Sequence, residues 1–223
     1  MEGQIDDDVK EERRNRILEC QKFISPASCS LVAVKDYELL FATRLSAQCT
    51  DARVNVVTAE LFSRWPTLEA IAGADLEELM EVVKPCGLYR VKATDIKKCA
   101  NVLVEQYGGK VPDEMDELLK LPGVGRKTAN LVLGDLFGKP AVVTDTHCIR
   151  IAGRIGLTDN TEPYKVEMDL KKIIEPKEQN DTCHRFVHFG RDICTARSPK
   201  CSLCFLQDVC RYAQGGKQPA KKK

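Results

Sequence analysis

An amine and a carboxylate stand eighteen residues apart in the middle of the 223-residue chain, Lys127 and Asp145, and the lysine closes the run Leu121-Pro122-Gly123-Val124-Gly125-Arg126-Lys127. Met115 to Lys120 before the run and Thr128 to Leu136 after it read as two helices, and the two glycines between them permit a tight hairpin. A hairpin that runs into a helix N-terminus points unpaired backbone amides outward. Together with the positive end of the helix dipole, these hold a phosphate without reading base sequence. Gly123, Val124, Gly125 and Arg126 are the residues for that contact, although the same pattern also makes an ordinary packing corner. At the first turn of a helix the dipole favours a free amine over an ammonium, and the amine is the form that attacks. Ala141-Val142-Val143-Thr144 is a short extended run, and Asp145 after it suits the N-cap of a helix over Thr146–Arg154. A cap fixes the direction of its carboxylate. Beside an amine nucleophile, such a carboxylate suits attack at a sugar carbon that develops positive charge.

A second constellation lies near the C-terminus. Cys194, Cys201, Cys204 and Cys210 have the spacing C-x6-C-x2-C-x5-C. Four thiolates so close in sequence can surround one metal centre, either a tetrahedral zinc or a [4Fe-4S] cluster. The other seven cysteines, Cys20, Cys29, Cys49, Cys86, Cys99, Cys148 and Cys183, show no ligand spacing and read as small buried hydrophobes. An odd total of eleven, with no secretory leader ahead of them, points to a reducing cytoplasm.

The elements that must position these groups are helical. Glu11–Phe23, Tyr37–Ala47, Arg53–Phe62 (capped by Thr50 or Asp51), Leu68–Ala72, Leu76–Val83, Lys92–Gln106, Tyr164–Ile174 and Asp181–Arg191 join the three helices already named. Pro66, Gly73, Pro85-Cys86-Gly87 and Gly108-Gly109 punctuate them. No segment alternates as a sheet strand would, so the fold class is all-α. No apolar run is long enough to cross a membrane. The net charge is only +1, but from Thr182 onward nine basic residues face two acidic ones, so basic charge gathers around the four cysteines as a phosphate-facing surface requires. Residues 214–223 are low in complexity and expected to be disordered.

Leu-Pro-Gly-Val-Gly-Arg-Lys-Thr-Ala-Asn at 121–130, Val-Thr-Asp-Thr-His at 143–147, and the cysteine spacing preceded by His188-Phe189-Gly190-Arg191 together resemble the endonuclease III family over about residues 10–212. These are bacterial DNA glycosylases that also cleave the strand at the abasic site. The resemblance implies a bifunctional enzyme acting on oxidised pyrimidines in damaged double-stranded DNA. Lys127 would be the nucleophile at C1′ and Asp145 would assist base departure; a Schiff base would then undergo β-elimination on the 3′ side. It also implies a [4Fe-4S] cluster on the four cysteines, with Arg197 and Lys200 of the cluster loop facing phosphates. Gln48 and Leu88 would fill the hole left by the extruded nucleotide. The implied architecture is two helical lobes with a DNA-binding groove between them. One lobe spans 29–139 and contains the helix-hairpin-helix; the other joins 1–28 to 140–212 and carries the cluster loop, and 213–223 form a basic tail. The expected species is a monomer that binds DNA and no membrane, in a bacterial-type cytoplasm and associated with the nucleoid.

Several residues depart from the family's pattern. Thr43 and Arg44 stand where apolar residues are usual, and Arg44 shares a helix face with Leu40 and Ala47, so it must be paired or reach the surface. Ser198 replaces a basic residue in the cluster loop, and Gly134-Asp135 a more neutral pair. Other readings share some of the signals. Mismatch-specific adenine and thymine glycosylases of the same superfamily lack a lysine at the position of Lys127. A noncatalytic DNA-binding module with a metal-stapled hairpin leaves Lys127 and Asp145 without a role.

Overall fold

The computed structural model describes residues 7–216 and Pro219. Among these residues the regular structure is helical: α1 (Asp7–Phe23), α2 (Asp36–Leu45), α3 (Asp51–Arg64), α4 (Leu68–Gly73), α5 (Leu76–Val83), α6 (Tyr89–Tyr107), α7 (Met115–Leu118), α8 (Arg126–Asp135), α9 (Thr146–Ile155), α10 (Pro163–Ile173) and α11 (Gln179–Asp192), with three short 3-10 turns. No described helix is long and apolar enough to cross a membrane. The chain divides into two compact units, residues 29–138 and residues 1–28 with 139–223.

In the 29–138 unit α2 is the centre. Its buried residues run Tyr37 to Thr43 without a gap and then Leu45, because α3, α6 and α8 all pack on it. Its start is fixed by Glu38, whose Oε2 accepts the amides of Val34 (2.7 Å) and Lys35 (3.2 Å). Thr43 is buried at no loss of hydrogen bonding, since its hydroxyl donates to Leu39 O at 2.8 Å. α4 and α5 lie against α6, and Leu61, Ile71, Leu79, Ile96, Leu103 and Leu118 complete the core.

In the other unit α9 packs on α11, and α10 on α1 and α9, around Ile17, Ile151, Phe186, Val166 and Leu170. The N-terminal helix is tied to this unit by polar bonds. Gln21 donates to Thr182 Oγ1 (3.1 Å), and Arg185 donates to the carbonyls of Gln21 (2.9 Å) and Ile24.

Element ends differ from the sequence expectations in instructive ways. Thr50 holds the N-cap position of α3, but its side chain makes no cap bond, and Asp51 is the first helical residue rather than the cap. Helix α6 begins at Tyr89, three residues before the predicted Lys92, because Leu88 already turns the chain in the left-handed region. Helix α7 stops at Leu118, and the chain continues in tighter turns with Lys120 N donating to Glu117 O and Leu121 N to Leu118 O, each at 3.1 Å. The segment expected to be disordered begins in turns: the amides of Gln214, Gly215 and Gly216 donate to Cys210, Tyr212 and Arg211. Residues 217, 218 and 220–223 of that tail lie outside the described residues. Cys29 and Cys49 are only half-buried, unlike the buried Cys20, Cys86, Cys99, Cys148 and Cys183. Cys29 precedes α2 and Cys49 lies in the turn before α3, so neither has a helix face to bury it.

Candidate active site

The hairpin of the 29–138 unit is closed by Val124 N donating to Leu121 O at 3.1 Å, and α8 opens with Ala129 N donating to Gly125 O at 2.9 Å. Gly125 is the N-cap and makes no side-chain cap bond, so no cap side chain competes for the amides of the first turn. Lys127 is exposed in that turn. Only one of the two glycines is there for its backbone angles. Gly123 has φ +75°, and a Cβ on it would come within 2.8 Å of Arg44 Nε and of Asp95 Cβ and Oδ2. Gly125, with φ −100° and ψ 175°, is in extended backbone open to any residue, and a Cβ there would meet nothing within 4 Å. Its bareness suits close approach from outside.

Beneath Gly123 lies the ion pair that resolves the departure at Arg44. The guanidinium donates from Nε (2.9 Å) and Nη2 (2.7 Å) to Asp95 Oδ2, joining α2 to α6 under the hairpin. A Gly123→Ala change would combine a left-handed alanine with a clash against this pair. It is expected to lower stability by about 1–3 kcal/mol, seen as a drop in Tm, and to weaken DNA binding. Gly125→Ala is expected to leave Tm near native and weaken DNA binding alone, as read by fluorescence anisotropy.

Gln48 and Leu88, in the same unit, are both exposed, Leu88 at 57%. They are also the non-glycine residues with positive φ among those described, +57° and +49°. Strain of this kind, about 1–3 kcal/mol at each residue, persists where surrounding structure enforces it, often at ligand-facing positions.

In the second unit Asp145 caps α9, its Oδ1 accepting Cys148 N at 2.7 Å. The extended run before it is buried, and Val143 N donates to Cys183 Sγ at 3.2 Å. Gly190 lets α11 approach α9: a Cβ there would lie 2.5 Å from His147 Nδ1 and 2.7 Å from Arg150 Nη2.

Cys194, Cys201, Cys204 and Cys210 line one cavity with Ile155, Phe189 and other mostly apolar neighbours. Burial pushes the Cys204 thiol up, and the nearby thiols of Cys210, Cys194 and Cys201 push it further. Four mutually repelling thiolates behind apolar walls need a cationic centre to be stable together, and the donor set is all sulfur. Arg197 and Lys200 are exposed on the loop between the first two cysteines. That loop is closed by Lys200 N donating to Ile193 O (3.0 Å) and Thr195 Oγ1 to Ser198 O (2.7 Å).

Two family descriptions match this chain. Residues 41–176 match the HhH-GPD superfamily of base excision DNA repair proteins, and residues 194–210, from the first of the four cysteines to the last, match the iron–sulfur binding domain of endonuclease III. The endonuclease III of Synechocystis sp. is 46% identical over 208 residues, covering 92% of this chain and 94% of the relative. The chain belongs to the endonuclease III family. It is a DNA glycosylase and abasic-site lyase of base excision repair, it binds DNA, and it carries a [4Fe-4S] cluster. Among solved structures, an endonuclease III trapped as a covalent intermediate with DNA is 44% identical with a TM-score of 0.87, covering 92% of this chain and 97% of that one. A thermostable thymine-DNA glycosylase, 23% identical, has a TM-score of 0.81 over 94% of this chain and 98% of its own, and shares the fold.

Two residues of this chain were not singled out from sequence. Arg150 and Arg154 lie one turn apart on α9. Arg150 donates to Cys194 O (2.9 and 3.1 Å) and Gly190 O (3.0 Å). Arg154, only 6% exposed, donates to the carbonyls of Thr195 (2.7 Å) and Ala196 (2.8 Å), reaches Cys194 Sγ at 3.5 Å and stacks over Tyr212. Burial pushes the Arg150 pKa down, while the Cys194 thiol opposes that shift. Their signal in the sequence is a pair of arginines four apart on a helix face shared with Ile151 and Ile155.

Proposed function

We propose that this enzyme removes oxidised pyrimidines from damaged double-stranded DNA and cleaves 3′ to the resulting abasic site. Lys127 is the nucleophile and Asp145 the carboxylate that assists base departure. The amine attacks C1′, the bond from C1′ to the base nitrogen breaks, and its electron pair leaves with the base. Asp145 stabilises positive charge developing on the sugar and handles the proton. Ring opening leaves an imine between Lys127 and C1′, and loss of the C2′ proton then expels the 3′ phosphate by β-elimination. The observation that carries this reading is Lys127 itself, exposed in the uncapped first turn of α8. A relative trapped as a covalent intermediate with DNA supports a mechanism that passes through a covalent bond to DNA.

Gly123, Val124, Gly125 and Arg126 hold a phosphate of the same strand, and Arg197 and Lys200 hold others. Gln48 and Leu88 fill the space vacated by the nucleotide, a role supported by their exposure and enforced left-handed backbone and by the estranged adenine in that relative's complex. Cys194, Cys201, Cys204 and Cys210 ligate the cluster, whose part in this reading is to give shape to a loop too short for a core of its own. The acting species is a monomer, and its eleven cysteines suit a reducing cytoplasm.

The substrate class is tested on duplexes carrying thymine glycol, 5-hydroxycytosine, or mismatched but undamaged adenine or thymine. The expected result is release of the oxidised bases with a 3′ unsaturated aldehyde end. Release of mismatched bases alone, or binding without release, would overturn it.

A further inference from the structure

One buried lysine connects the two strained positions. Lys92, in the second turn of α6, is fully buried, with 0% of its surface exposed. Its Nζ donates to Leu45 O (2.8 Å), Ala47 O (2.7 Å) and Cys86 O (2.8 Å). An ammonium has three N–H donors, and all three are used. Burial pushes the lysine pKa down, the neighbouring Cys86 and Cys49 thiols oppose that shift, and Arg44 adds to it. Three carbonyl dipoles aimed at one nitrogen favour the charged form.

The three carbonyls are placed with purpose. Leu45 ends α2, and Ala47 immediately precedes Gln48. Cys86 ends the 3-10 turn two residues before Leu88, and the Lys92 amide takes the carbonyl of Leu88 itself at 3.1 Å. Each loop bears one exposed residue in a conformation that L-residues avoid, and both loops end on the same ammonium.

We propose that Lys92 is the positioning residue that locks the Gln48 and Leu88 loops into one rigid two-pronged wedge. The inference rests on the reading of Gln48 and Leu88 as hole fillers and names what holds them in register. A methionine at position 92 matches the lysine stem as far as Cε and has none of its donors, so the three carbonyls lose their common partner and the loops are released from each other. Glutamine keeps two N–H donors.

The test uses the cluster-loaded enzyme and two readouts. The first is the fluorescence of 2-aminopurine placed opposite a tetrahydrofuran abasic analogue, which reports how the wedge unstacks the orphaned base. The second is the ratio of cleavage at an abasic site in duplex to that in a single strand, where no opposite base exists. Lys92→Met is expected to suppress the fluorescence change and lower the ratio on the order of 10²-fold, as a misplaced group does. Lys92→Gln should fall between Met and native, and should carry the test if the Met variant does not fold. A combined Gln48→Ala and Leu88→Ala variant should match Lys92→Met, with little further loss when all three are joined. Equal losses on duplex and single strand with a native fluorescence change would make Lys92 a stability residue only and overturn the proposal. If the Gln48 and Leu88 changes leave the fluorescence native, the hole-filling reading fails and this inference with it. If they alter it and the Lys92 variants do not, the lysine inference alone fails.

Discussion

Lys127→Ala is expected to lower β-elimination at a preformed abasic site by about 10³-fold or more while leaving the fold intact, because the proposed mechanism runs through a covalent bond to this amine and loses that route without it. Its exposure means that truncation opens no cavity. A cation at a helix N-terminus is disfavoured by the dipole, so the variant should melt at the native temperature or slightly above it. The measurement is single-turnover cleavage of an abasic duplex beside a melting curve and an anisotropy titration. Loss of cleavage with unchanged DNA binding and Tm is the expected combination. Cleavage at the native rate would assign the nucleophile elsewhere.

The second large effect separates two duties of one side chain. Asp145 caps α9 through Oδ1, and asparagine caps a helix about as well as aspartate. Asp145→Asn therefore keeps the cap and removes the charge. Base release from an oxidised duplex is expected to fall about 10²- to 10⁴-fold, the range for a positioned acid or base, with Tm close to native. Asp145→Ala removes both and should melt earlier as well, by an amount reflecting about 1 kcal/mol. On the proposed role of the carboxylate in base departure, cleavage at an abasic site that has already lost its base should suffer less than base release. Base release by Asp145→Asn within tenfold of native would reduce Asp145 to a cap.

What was legible in the sequence was local. The LPGVGRK run, the Asp145 cap and the cysteine spacing each occupy a short window, and helix α5 runs over Leu76–Val83 as its pattern and flanking breaks indicated. What escaped was made by contacts between distant windows. Lys92 reads in sequence as an ordinary lysine near a helix start, and its three carbonyl partners come from 45, 47 and 86. Arg44 and Asp95 lie fifty-one positions apart, so the need for a partner was visible but the partner was not. Glycine advertises positive φ, whereas Gln48 and Leu88 adopt it without any compositional mark. The hairpin glycines show the converse: Gly123 needs its backbone angles, and Gly125 does not. Helix ends moved for the same reason, as at α6, where the left-handed Leu88 starts the helix three residues before the predicted point.

Borohydride trapping on a thymine glycol duplex, followed by peptide mapping of the adduct, tests the central claim most directly. The account predicts one covalent adduct, mapped to Lys127 and lost in Lys127→Ala. An adduct on another residue, or base release and strand cleavage with no trappable imine, would contradict it.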